Sequence, residues 1–343
     1  MKKLFTSVVA LFFFSLLQAQ ITQIASGLNT PQRLIVYNNY IYFTDTNSVQ
    51  RFDANQNPAT PEMVVDGLNS GAGMVQNGND LYIADGGGGR IVKIDITASN
   101  PVLENVVTGL LSPYGLAISG NFLYFSEYSK NRIAKIDITI SNPTPQTVVQ
   151  GVTSPSGIDI KGDFLYFGET IPRRIRKIDI TVSNPSPVTL VEFYVFPFGI
   201  KFRGDDLYIA SRNGNKISTY NIITEVFSDI ITGLNLPLDV AFKGNTLYFV
   251  SEGDSSIYKV EGILGVNEFN SDPAINLYPN PAQSFIKLNN VAEETSYTIY
   301  AMDGKRVAEG NYLPYNDISI KDLATGVYIF KTQDGRTMKF LKE

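Results

Sequence analysis

Leu123-Tyr124-Phe125 is one copy of a phrase that the chain uses six times: an aliphatic residue, then Tyr, then Phe or Ile. Its tyrosines are Tyr42, Tyr82, Tyr124, Tyr166, Tyr208 and Tyr248, spaced by 40, 42, 42, 42 and 40 residues. Working outward, the flanking parts keep their places. Before the phrase comes a turn, as in Ser112-Pro113-Tyr114-Gly115, Ser154-Pro155-Ser156-Gly157 and Phe196-Pro197-Phe198-Gly199. After it comes a second apolar run: Arg90-Ile91-Val92-Lys93-Ile94-Asp95, Arg132-Ile133-Ala134-Lys135-Ile136-Asp137 and Arg174-Ile175-Arg176-Lys177-Ile178-Asp179. A Ser-Asn-Pro loop follows in three units, and a Val-rich strand ending in Gly, such as Val106-Val107-Thr108-Gly109, closes the unit. Four short strands in a period near 40 make a propeller blade. Strands apolar at nearly every position fit a sheet covered on both faces by its neighbours. The expected fold is all-β: a six-bladed β-propeller followed by a small C-terminal β-sandwich.

The sixth unit supplies only three strands, ending near Ile257-Tyr258-Lys259-Val260. Ile21-Thr22-Gln23-Ile24-Ala25-Ser26-Gly27, ahead of the first unit, has the character of the missing closing strand. It is expected to complete the last blade and shut the ring. Ile41-Tyr42-Phe43-Thr44-Asp45 resembles the YWTD repeat of lipoprotein-receptor propellers. Leu81-Tyr82-Ile83-Ala84-Asp85 through Ile94 resembles NHL and gluconolactonase-type repeats equally. The likeness spans about 240 residues and is specific for fold, since such folds host many activities.

Composition narrows the chemistry. The chain has 343 residues, 43% of them hydrophobic, with net charge −5, which argues against a nucleic-acid partner. It has no Cys and no His. Disulfides, thiolate or imidazole metal ligands, Cys nucleophiles and Ser-His-Asp triads are therefore excluded. Catalysis would fall to carboxylates, Lys, Tyr or an oxygen-bound metal. Lys2 and Lys3, the apolar stretch Leu4–Leu17 and small Ala19 before Gln20 read as a secretory signal peptide over 1–19. That stretch is short of a membrane span, and no other segment could cross.

The propeller is expected over 20–262, a linker over 263–273 and the C-terminal module over 274–343. The module alternates as strands do, with turns at Asp303-Gly304 and Asp334-Gly335. Leu277-Tyr278-Pro279-Asn280-Pro281, Tyr300-Ala301-Met302-Asp303-Gly304-Lys305, Leu323-Ala324-Thr325-Gly326-Val327-Tyr328-Ile329-Phe330-Lys331 and the tail Met338-Lys339-Phe340-Leu341-Lys342-Glu343 occur in order. Together they resemble the type A C-terminal sorting domain of the type IX (Por) secretion system. The resemblance implies a Bacteroidetes source, the type IX machinery as partner, and export across the outer membrane. Release or surface attachment would follow. Tyr278, Pro279, Asn280, Pro281, Gly326 and Tyr328 carry the sorting motif.

Three features bear on function. Asp85-Gly86-Gly87-Gly88-Gly89-Arg90 could cradle a phosphate, but no helix follows and its repeat counterparts are hairpins, so a turn is expected. Asp45, Asp85, Glu127 and Glu169 recur three residues after the repeat tyrosines, with Ser211 and Ser251 in the last two units. One acid per blade does not converge on a metal, so each should bond backbone or an Arg such as Arg90, Arg132 or Arg174. The YWTD resemblance implies the same for the Asp.

Third, the innermost strand departs from its repeat in pairs. Arg33 and Asp239 stand where the other four units have Gly73, Gly115, Gly157 and Gly199, and they are neighbours across the closure. Asp159 and Lys201 form a second neighbouring pair. The pairs read either as two salt bridges lining the channel or as a grip on a polar ligand. Gln32, Tyr114, Ser156 and Phe198 are placed at the channel mouth, and aromatics there suit a carbohydrate or peptide. The candidate ligand-binding residues are Arg33, Tyr114, Asp159, Phe198, Lys201 and Asp239. The expected function is a non-catalytic binding module, its ligand a glycan, peptide or protein, with no cofactor and no metal. The alternative is a Ca²⁺-dependent lactonase- or lyase-like enzyme with Asp159 and Asp239 in its channel.

Overall fold

A computed structural model of the chain describes residues 20–192, 196–262, 277–288, 294–302, 304–313, 316–332 and 337–343. The expected signal peptide and linker, Asp303 and the Asp334-Gly335 turn lie outside them. The chain divides into two compact units, Met1–Val266 and Asn267–Glu343.

In the first unit each repeat folds as one four-stranded antiparallel sheet. The third is representative: Pro113–Ser119, Phe122–Glu127, Arg132–Asp137 and Gln146–Gln150 lie side by side in chain order. Hydrophobicity at every position follows from burial on both faces, and Leu123, Phe125, Ile133 and Ala134 are fully inaccessible. The sixth sheet has Pro237–Lys243, Thr246–Ser251 and Ser256–Glu261, with Gln20–Ala25 as its outer strand. That strand runs antiparallel to the third, with Gln20 opposite Glu261 and Ile21 opposite Val260. The ring is thus closed by the segment expected to do so. The innermost strands touch in the order Arg33–Tyr37, Gly71–Asn77, Pro113–Ser119, Pro155–Lys161, Pro197–Arg203 and Pro237–Lys243, and the last touches the first. Six blades therefore stand around one axis.

The repeat tyrosines explain how blades adhere. Tyr124 packs among Leu165 and Phe167 of the next blade, Tyr166 among Leu207 and Ile209, and Tyr248 among Ile41 and Phe43. Each fully buried aliphatic or aromatic side chain contributes roughly 1.5–3 kcal/mol. Near the axis the contact is backbone on backbone. A methyl on Gly115 would stand 2.6 Å from Ser156 O and 2.8 Å from Ile158 N, so only glycine permits this approach. Hydroxyls brace the same seam. Ser126 Oγ accepts from Gly115 N (2.8 Å) and donates to Ser156 O of the next blade (2.7 Å). Thr44 does this between the first and second blades. The fourth blade has Gly168 at that position, and Ser156 supplies the hydroxyl instead, donating to Pro197 O (2.5 Å). A side chain at Gly168 would collide with that Oγ.

The second unit is a two-sheet sandwich. Leu277–Tyr278, Phe285–Leu288 and Ile318–Ser319 form one sheet. Arg306–Tyr312, Thr295–Ala301, Gly326–Thr332 and Thr337–Lys342 form the other. Leu277, Ile286, Ile299, Tyr312, Phe330 and Phe340 fill the space between them. Among the described residues no helix is long and apolar enough to cross a membrane.

Candidate functional site

The ring of acids is structural scaffolding. Asp85 accepts Asn69 N (2.7 Å) and Gly88 N (3.1 Å) and pairs with Arg90 (2.8 Å). Glu127 accepts Leu111 N (2.9 Å) and pairs with Arg132; Glu169 accepts Thr153 N and pairs with Arg174. In each case the carboxylate ties down the segment arriving from the preceding blade. The first blade has Gln50 in place of the arginine, donating to Asp45 (2.7 Å). In the sixth, Ser251 Oγ holds Asn235 O (2.6 Å) and reaches Asp254 (2.7 Å). The polyglycine run is the expected hairpin turn. Its amides are committed: Gly86 N donates to Ser70 O, Gly87 N to Asn69 O, and Gly88 N to Asp85.

At the axis the structure differs from one expectation. Arg33 and Asp239 do not form a salt bridge. The Arg33 side chain is long enough to pass the carboxylate and cross the axis. Its guanidinium donates to Leu238 O (2.6 Å) of the sixth blade and Phe198 O (3.3 Å) of the fifth, and lies 4.4 Å from the Tyr114 ring of the third. It is 3% exposed. Asp239 instead accepts Leu34 N (3.1 Å) from the first blade. Desolvation pushes the Asp239 carboxyl above the ordinary aspartate range, opposed by the field of Arg33 and by backbone donors. The second pair does form: Lys201 Nζ is 3.1 Å from Asp159 Oδ1, while Asp159 Oδ2 accepts Phe202 N (2.8 Å).

Tyr114, Ser156 and Phe198 lie within the inner strands rather than in the turns ahead of them, whereas Gln32 sits just before its strand and donates its backbone amide to Thr44 O (2.8 Å). Ser156 is buried as a strut. Tyr114 and Phe198 are half-buried and meet edge to face at 6.2 Å over Arg33. Two further residues extend this cluster. Tyr128 lies 6.0 Å from Tyr114, and Arg212 sits 5.7 Å from the Phe198 ring while pairing with Glu252 at 2.6 Å. Both occupy the position just after the recurring acid, where the other blades carry Thr46, Gly86, Thr170 and Glu252. Comparing that position across the six units would have marked them. The result is an aromatic and cationic arc across blades three to five.

Ca²⁺ takes six to eight oxygens. Asp159 and Asp239 each hold a backbone amide, and Asp159 also holds a lysine. Among the described residues no three acidic side chains converge. This set does not fit the ion. Burial raises the hydroxyl pKa of Tyr114, Tyr124 and Tyr166, and that of Tyr208 to about 12.

In the sandwich the sorting residues form a clip. Asn280 Oδ1 accepts Leu341 N (2.9 Å) and its Nδ2 donates to Lys339 O (3.1 Å). Ala282 bridges Lys342. The Asn280-Pro281 turn therefore pins the terminal strand. Tyr278 and Pro279 are exposed beside it. Gly326 opens the strand that carries Tyr328, whose hydroxyl donates to Ala324 O (2.8 Å) and whose ring stacks on Phe340.

Residues 276–342 match the secretion system C-terminal sorting domain, and residues 114–153 match the LVIVD repeat. No curated protein matches the chain. Among solved structures, virginiamycin B lyase of Staphylococcus aureus with quinupristin is 20% identical (TM-score 0.52), covering 67% of this chain and 80% of that one. A gluconolactonase of Xanthomonas campestris is 12% identical (TM-score 0.59), covering 71% and 89%. An auxiliary nutrient binding protein of Bacteroides thetaiotaomicron is 12% identical (TM-score 0.60), covering 71% and 76%. At such identities the likeness carries the fold alone. The chain is a six-bladed β-propeller with a C-terminal secretion system sorting domain, which directs it through type IX secretion to the cell surface or the medium.

Proposed function

We propose that the propeller is a non-catalytic binding module, exported by its sorting domain, and that the arc of Tyr114, Tyr128, Phe198 and Arg212 is its contact surface. The observation that carries this reading is the commitment of the axis. Arg33 crosses it, and both axial carboxylates, Asp159 and Asp239, are bonded to backbone amides, so among the described residues neither is left as an unengaged acid or base. The arc, by contrast, is half-exposed and combines ring faces with a guanidinium, the groups that hold a glycan or an extended peptide. The structural neighbours include enzymes and binding proteins alike and favour neither reading. A glycan and peptide array probed with the full chain tests the proposal. Binding that weakens at least tenfold in Phe198→Ala is expected. Calorimetric Ca²⁺ binding tighter than about millimolar, lost in Asp159→Ala or Asp239→Ala, would instead favour the lactonase- or lyase-like alternative.

A further inference from the structure

The seam between the sixth and first blades contains an open cavity of about 560 Å³, within the roughly 300–1,000 Å³ of small-molecule sites. It lies at the opposite end of the blades from the arc, beside the hairpin joining the first two strands of the sixth blade. One contribution to it is visible in the repeat. In blades two to five the residue after the third strand is isoleucine: Ile96, Ile138, Ile180 and Ile222. Each donates its amide to the neighbouring hairpin, to Asn79 O, Asn121 O, Asp163 O and Asp205 O respectively. In the first blade that same bond is made by Ala54, to Asn39 O (2.8 Å). Three carbons are missing from the seam beside Tyr248. A second position agrees. Blades one, three and four have Tyr40, Phe122 and Phe164 two residues before the repeat tyrosine, whereas the sixth has Thr246, and blades two and five have Asp80 and Asp206.

What lines the space is polar. Asn55, Gln56 and Asn57 present amides, Thr246 a hydroxyl, and Tyr248 its ring. In blades two to four the residue matching Asn55 is a threonine whose hydroxyl turns back onto its own aspartate, as Thr97 does to Asp95 (2.6 Å). Asn55 instead faces the cavity and meets Lys243 Nζ at 3.4 Å. The other lysine, Lys259, is neutralised by Glu261 at 2.6 Å. Lys243 therefore has no carboxylate partner among the described residues.

We propose that this cavity binds a short acidic saccharide, its hydroxyls bonded by the Asn55–Asn57 amides and its carboxylate by Lys243. Amides are both donors and acceptors and match vicinal hydroxyls, whereas an unpaired ammonium selects an anion. Saturation-transfer NMR and calorimetry on the full chain, with digalacturonate as probe and cellobiose as neutral control, test it. Digalacturonate should bind and cellobiose should bind at least tenfold more weakly. Ala54→Ile restores the isoleucine of blades two to five, narrows the cavity beside Tyr248, and should weaken digalacturonate binding at least tenfold without lowering the thermal midpoint. Lys243→Met should weaken digalacturonate at least tenfold. If Ala54→Ile does not fold, Thr246→Phe fills the same space. No transfer from digalacturonate, equal binding of cellobiose, or binding unaffected by filling the cavity would overturn the proposal.

Discussion

Replacing Arg33 by methionine tests whether the axis is held by a charge. Methionine keeps most of the volume, so the change removes donors and charge rather than packing. Hydrogen bonds from the guanidinium to Leu238 O and Phe198 O disappear, as does its stacking on Tyr114. Charged hydrogen bonds contribute about 1.5–3 kcal/mol each and a desolvated cation–π contact about 2. Against this, the mutant no longer desolvates a guanidinium, a saving of several kcal/mol. Asp239 also loses the cation that offsets its own desolvation. The net expectation is about 3 kcal/mol, or about 6–12 °C at 2–4 °C per kcal/mol for a unit of this size. Scanning calorimetry is the suitable assay, because the chain has no Trp. The penalty should depend on pH in a definite direction. The Asp239 carboxyl is already raised in the folded state and rises further without Arg33, so the folded mutant holds its proton more tightly than the unfolded chain. Stability is then lost as pH climbs from the ordinary aspartate value, about 4, through the raised one. The deficit of Arg33→Met should therefore be smaller at about pH 4 than at 7. Asp239→Asn, which keeps an acceptor for Leu34 N, should partly rescue the mutant. An unchanged midpoint, or a deficit equal at both pH values, would refute the assignment of Arg33 as the cation of the axis.

Gly115→Ala should lower the thermal midpoint by the equivalent of about 3 kcal/mol, because the new methyl meets backbone atoms of the next blade that cannot rotate away. Thr97 holds the exposed Asp95 carboxyl below the usual carboxylate range through its hydroxyl first and its amide second. In a carboxyl NMR titration Thr97→Val should move Asp95 upward. The stabilisation linked to it is present above the ordinary range and lost as pH falls through the depressed value. Asn280→Ala removes both bonds to the terminal strand, so the Leu341 amide should exchange with deuterium faster while the propeller amides stay protected.

Much of this architecture is legible because a repeat is an internal comparison. The spacing of six tyrosines gives the blade count, and a sixth unit short of one strand points to Ile21–Ala25 as its closure. The acid–arginine pairs follow because their separation of five residues, Asp85 to Arg90 or Glu127 to Arg132, spans one hairpin. What the chain conceals is reach. Arg33 and Asp239 occupy matched positions on adjoining strands, and position alone suggests that they bond. A guanidinium on a three-carbon stem passes a carboxylate on a one-carbon stem and finds carbonyls on two other blades. Carbonyl acceptors leave no trace in the residue type, since Leu238 and Phe198 offer only their backbone. Ser156 and Gly168 hide in a similar way. Each looks like an isolated exception, yet together they exchange a hydroxyl between strands and keep one strut intact.

Departures from the repeat therefore divide by what compensates them. Gly168 is compensated by Ser156, and Gln50 stands in for an arginine, so neither leaves a gap. Ala54 in place of isoleucine is not compensated: Thr246 beside it is also small, and the polar groups around the space turn inward. Tyr128 and Arg212 depart at the open end without filling any internal gap. A packed ring has no structural use for an unfilled seam, and Tyr128 and Arg212 add ring face and charge beyond the Arg33–Tyr114 contact that holds the axis. It is at these uncompensated positions, rather than at the recurring acids, that binding is assigned.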